Sequence, residues 1–80
     1  MEKQRVRLDA LQPGEHGILR EILMPGEARV RMEELGLLPE TELDCLYRAP
    51  HASPAAYAVS GAVFALRKKD AALIIVEAVR

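Results

Sequence analysis

The sequence has a single cysteine, no tryptophan, two tyrosines and one phenylalanine. A lone Cys45 excludes an internal disulfide and fits a reducing compartment. With so few aromatic rings, the core must be built from Leu, Ile, Val and Ala. There is no excess of charge of either sign: 11 basic residues face 12 acidic ones. A nucleic-acid binder driven by bulk electrostatics is clearly basic, so that class is set aside. No long hydrophobic run is present. The longest, Ala71 to Val76, is far short of the roughly 20 residues that span a bilayer. The first residues, MEKQRVRLDA, contain no apolar stretch of the kind that marks a signal peptide. The expectation is a cytoplasmic domain that can touch a membrane protein without entering the membrane.

What is present is a half-hydrophobic chain of 80 residues, enough for one domain near the lower limit of unassisted folding. We expect a single unit over 1–80 with its core from about 6 to 79. Val6 and Leu8 alternate with Arg5, Arg7 and Asp9, which suits an extended start. Pro13-Gly14 is a type II turn signal, because Pro presets φ and Gly supplies a positive φ after it. The strand that follows pairs Ile18 with Ile22 on one face, and Leu19 with Leu23 on the other. Pro25-Gly26 ends it.

A short helix is expected over about 27–35. Ala28, Met32 and Leu35 recur at i, i+4 and i+7 and would line the face that covers the sheet. Gly36 is placed for the left-handed position after the helix. Leu37 would pack back on Met32, and Pro39 prevents the helix from resuming. Pro39-Glu40 then reads as a type I turn, because Glu disfavours positive φ. From Thr41 to Arg48 the pattern is a clear strand, with Leu43, Cys45 and Tyr47 on one face. After the two-proline loop APHASP, Ala55 to Ser60 is a strand with Tyr57 and Val59 on one face. Gly61 marks a bulge or tight bend before a further strand, Ala62 to Arg67. A helical turn is expected near 68–72. Leu73 to Val79 is apolar on both faces until Glu77, as befits a strand that is central or covered. The fold class is mainly β: five or six short strands, closing partly into a small barrel to protect their edges.

No catalytic constellation is apparent. Cys45 is in phase with Leu43 and reads as core, and Ser53 has no base at motif spacing. No glycine-rich phosphate loop is present. His16, His51 and Cys45 are of types that ligate iron or zinc, but none are at ligand spacing, so no metal or cofactor site is assigned. Arg29 and Arg31 diverge by about 200° around a helix of 3.6 residues per turn, so they cannot both face a core. Arg67, Lys68 and Lys69 form the one dense basic run. Solvated faces explain such groups; the functional reading is a docking surface for an acidic patch.

The order of these pieces resembles the FeoA family of bacterial ferrous iron transport. The features are Leu11 to Glu15 (LQPGE) with Gly17-Ile18, the helix end Glu34-Leu35-Gly36-Leu37, and Pro39-x-Thr41 entering a strand. Arg48-Ala49-Pro50, Gly61 before Ala65-Leu66-Arg67, Asp70-Ala71 and Ile74-x-Val76 follow in order. The resemblance implies an SH3-like barrel, similar also to the C-terminal module of DtxR-like repressors. It implies a non-enzymatic protein that docks on a FeoB-type membrane transporter, with Fe²⁺ as transported ion and the chain a monomer or weak homo-oligomer. The alternative is a metal-responsive sensor related to the repressor modules. Two departures stand out: Glu40 where the family turn usually has Gly, and His51-Ala52-Ser53-Pro54 where its loop commonly has Gly-Asp-Pro. The candidate partner-binding residues are Arg29, Arg31, Glu33, His51, Arg67, Lys68 and Lys69. The candidate structural residues are Gly14, Gly36, Leu37, Pro39 and Gly61.

Overall fold

The computed structural model describes residues 3–79. Six strands form one antiparallel sheet: β1 (Lys3–Arg7), β2 (His16–Ile22), β3 (Glu42–Arg48), β4 (Ala55–Val59), β5 (Ala62–Leu66) and β6 (Ile74–Val79). Their order is β1-β6-β2-β3-β4-β5. A nine-residue helix, α1 (Gly26–Glu34), joins β2 to β3, and a single helical turn, α2 (Lys68–Ala71), joins β5 to β6. Leu8–Ala10 forms a 3-10 turn where alternation predicts that the extended start continues, and the expected two-proline loop carries a short turn at Pro50–Ala52 interrupted by left-handed His51.

The last strand is central, one of the two places that its apolar composition allows. β6 lies between β1 and β2 and buries Ile74, Val76 and Ala78. Around them pack Leu8, Leu11, Leu19, Leu37, Leu43, Cys45 and Tyr57. Val6 of β1 and Leu66 of β5 come from opposite ends of the strand order and join the same cluster. The sheet is therefore wrapped round one core, the partly closed barrel expected of many short strands in a small chain. Tyr57 fills the middle, and its hydroxyl donates to the Leu8 carbonyl oxygen at 3.4 Å. Burial pushes its phenol up to about 12, and burial likewise raises the Cys45 thiol opposite it.

Two β-bulges shift the side-chain phase. In β2 the register against β6 slips between Leu19 and Glu21, and in β3 the register against β4 slips between Cys45 and Tyr47. A bulge adds one residue to one strand and turns the side chains beyond it to the other face. Strict alternation therefore fails past each one. Leu19 and Ile22 are both buried while Leu23 is exposed, so the Ile18/Ile22 and Leu19/Leu23 faces do not hold. Leu43 and Cys45 point inward, but Tyr47 is 56% exposed.

The helix stop forms as its sequence dictates. The Leu37 amide donates to the Met32 carbonyl at 3.0 Å and the Gly36 amide to the Glu33 carbonyl at 3.0 Å. These two hydrogen bonds are the Schellman closure, with Gly36 at φ +102°. Leu37 is buried and Met32 packs against the core, so the apolar staple is in place. The rest of the expected stripe is not covered. Ala28 and Leu35 are exposed, and no residue of α1 is buried. The helix reaches the core only through its C-terminal end. An apolar period marks a face that could be covered; it does not supply the surface that covers it.

Other turns follow their chemistry, with one exception. The Glu15 amide closes on the Gln12 carbonyl at 2.9 Å around Pro13-Gly14. Ser60 (φ +49°) and Gly61 (φ +81°) form the two-residue loop of the β4–β5 hairpin, a tight bend with positive φ at both positions. The exception is Pro39-Glu40. Glu40 has φ +74°, the type II arrangement rather than type I. Its amide donates to the Leu19 carbonyl at 2.7 Å, and the Thr41 amide donates to Leu38 at 3.1 Å. These bonds, and the Arg20 side chain on its carboxylate, hold a conformation that glutamate alone disfavours.

Candidate interaction surfaces

The helix α1 stands out because it is an ordered element that buries none of its own side chains. Leu23 and Leu38 beside it, Val30 within it and Leu35 at its end are each 47–50% exposed. A shallow open depression on its outer side is lined by Gly26, Glu27, Arg29, Val30, Arg31 and Glu34. Arg29 and Arg31 are exposed there; Glu33 is half-buried and faces elsewhere. Apolar side chains ringed by charges of both signs are the composition of a docking surface rather than of a reaction site.

The remaining candidate residues gather at a second place. Arg67 is exposed and lies 3.6 Å from Asp70, while Lys68 and Lys69 are exposed on α2. The Lys68 amide donates to the Ser53 hydroxyl at 3.4 Å, which sets the loop carrying His51 beside this basic run. His51 is exposed and sits in the left-handed region at φ +67°. The loop that carries His51 is thus tied through Ser53 to the start of α2, which bears Lys68 and Lys69, and α1 carries Arg29, Arg31 and Glu33.

Two ionic clusters escape sequence reasoning. His16 on β2 faces Asp44 on β3, with Nδ1 at 2.9 Å from Oδ1, while Nε2 lies 2.8 Å from Oε1 of Glu42. The hydrogen bond to Asp44, chiefly, raises the imidazole above its ordinary value. When protonated, the ring can donate to both carboxylates and then offers no lone pair to a metal. Arg20, at the β2 bulge, donates to the carboxylates of Glu40 and of Glu77, the latter at 3.0 Å. That contact holds the Glu77 carboxyl below its usual range. Both clusters depend on strand register, for which the linear sequence carries no signal. Among the described residues no group of three or more His, Cys, Asp or Glu side chains is arranged to hold a metal ion. No helix among them is long and apolar enough to cross a membrane.

Fold and surface together define a small SH3-like domain with two exposed, charged faces. The FeoA domain model matches residues 6–78. The chain belongs to the FeoA family, SH3-like proteins associated with ferrous iron transport. An iron uptake regulatory protein (FeoA) of known crystal structure is 30% identical, with a TM-score of 0.83 over 95% of this chain and 99% of that one. The FeoA of Stenotrophomonas maltophilia, an SH3 domain protein crystallised with zinc, shares the fold at 21% identity, with a TM-score of 0.79 over 89% of this chain and 88% of that one. A manganese-dependent transcriptional repressor in complex with manganese is 25% identical, with a TM-score of 0.82 over 94% of this chain but 37% of the repressor. Comparison with curated protein sequences gives no match.

Proposed function

We propose that this chain is a non-enzymatic accessory of bacterial ferrous iron uptake that docks on the cytosolic face of a FeoB-type transporter and modulates it. The observation that carries the reading is α1: a helix that adds no buried side chain to its own core, yet holds Val30 and Leu35 half out of water beside Arg29 and Arg31. Membership of the FeoA family supplies the transport context. In this reading Val30 and Leu35 supply the apolar contact. Arg29 and Arg31 steer an acidic partner patch, which acts on the on-rate and on specificity more than on affinity. The second cluster, His51 with Arg67, Lys68 and Lys69, is the next surface to contact the transporter.

The test is a pull-down and a titration of the chain against the full-length transporter and against its isolated G-domain. Val30→Asp with Arg29→Glu and Arg31→Glu should weaken binding at least about tenfold, as loss of a central contact does. Its melting temperature should stay near that of the wild type, because none of the three side chains is buried. Unchanged binding by a folded variant would reduce α1 to scaffold. No binding to either form of the transporter, with unchanged ferrous uptake in a deletion strain, would remove the reading altogether.

The likeness to a manganese-dependent repressor favours a second reading, a metal-responsive regulatory domain. That reading requires Fe²⁺ to bind the folded state and so raise its melting temperature. A flat melting temperature across anaerobic ferrous concentrations would dismiss it.

A further inference from the structure

The geometry points to a second copy of this chain as the partner of the β5 edge, the two strands pairing antiparallel about a two-fold axis at Phe64. The sheet has two end strands, β1 and β5. β1 reads KQRVR and exposes Lys3, Arg5 and Arg7, charges that repel a second copy of themselves and guard an edge. β5 reads AVFAL and carries no charge and no proline. It therefore lacks the charge, the proline and the bulge that commonly protect an edge strand.

The hydrogen-bond pattern shows which groups are left over. The two-residue loop pairs Val59 with Ala62, and the register continues Ala58↔Val63, Tyr57↔Phe64, Ala56↔Ala65 and Ala55↔Leu66. A two-residue hairpin makes its closing pair a hydrogen-bonded one, and such pairs alternate along an antiparallel ladder. Ala62, Phe64 and Leu66 therefore spend their main-chain groups on β4. Val63 and Ala65 direct theirs away from it, and among the described residues no main-chain bond receives them.

A second β5 is complementary to this edge. With the two-fold axis at Phe64, Val63 lies opposite Ala65 of the other copy and the reverse, and each such pair exchanges both main-chain bonds. Pairing stops at Leu66, because the Arg67 carbonyl already accepts from the Asp70 and Ala71 amides at 3.0 Å. Side chains agree with the main chain. Val63 is 66% exposed and Ala65 is exposed, so pairing sets a valine against an alanine on the solvent face and brings no charge into contact. A five-residue strand contact is smaller than the ~1,200 Å² at which specific stable interfaces begin. The expected species is a concentration-dependent dimer, independent of transporter docking through α1.

Sedimentation from micromolar to millimolar protein, with amide exchange followed residue by residue, tests this. The mass should rise toward twofold with concentration. Protection of the Val63 and Ala65 amides should rise with it, while Phe64 stays protected throughout. Val63→Lys should abolish the mass change with Phe64 protection intact, and Val63→Thr, neutral and β-branched, should retain it. A monomer at every concentration overturns the inference. So does a dimer that persists in folded Val63→Lys, or one in which the Val63 and Ala65 amides stay unprotected.

Discussion

His16 shows how much a single side chain depends on what lies across the strand. Its ring is bracketed by Asp44 and Glu42, and its affinity for a proton is raised above the ordinary 6.5. A group whose folded value is raised stabilises the fold below its unfolded value and stops doing so as pH rises through the folded one. The contribution is therefore complete below about pH 6.5 and fades above it. The melting temperature of the wild type minus that of His16→Gln should be largest in mild acid and should shrink as pH rises past neutrality. A difference that is flat, or that grows with pH, would mean the imidazole is not held as the cation. Cys45 is the counterpart at which sequence reasoning succeeds. Its phase with Leu43 places it in the core, and it is 1% exposed. Glu40 shows the opposite outcome, since its own preference loses to bonds made by Leu19 and Arg20.

At the scale of elements, the end of α1 was legible and its surroundings were not. A glycine, a leucine and a proline in order specify where a helix stops, because each acts through the local backbone. Gly36 sits at φ +102°, with nothing within 4 Å of the position where a Cβ would stand. Gly36→Ala should therefore cost about 1–2 kcal/mol through backbone strain alone, read from chemical denaturation. A neutral substitution would show that the helix ends elsewhere in solution. Burial of the helix face was not legible, since it requires a surface that only the assembled sheet can supply. The strands repeat the lesson. β6 announces itself as central or covered through its composition, whereas the bulges in β2 and β3 leave no mark in residue type and defeat strict alternation at Leu23 and Tyr47.

Across the whole molecule, stability is unevenly spread. β6 is flanked by strands on both sides and supplies Ile74, Val76 and Ala78 to the core, while α1 is tied to that core through Met32. Native-state amide exchange should find the slowest amides in β6 and its neighbours, exchanging only on global unfolding. The amides of α1 should exchange through a cheaper local opening, as elements with few buried contacts do. Equal protection in α1 and β6 would show the helix coupled to the core by more than its last turn. A helix that is easily released is also one that a partner can reorient without disturbing the barrel.

The exposure of Arg29, Arg31, Arg67, Lys68 and Lys69 could be read from the sequence, because unpaired charged side chains are almost never fully buried. The sequence by itself determined the turns at Pro13-Gly14 and Gly61, the helix stop and a largely aliphatic core, since each follows from the local backbone or from hydrophobicity. Tertiary structure alone decided the register that brackets His16 and the bulges that turn Tyr47 outward. It also decided that α1 lies uncovered and that β5 keeps an open edge. Those properties belong to pairs of segments distant in the chain, and a residue's own chemistry does not say which partner it will meet.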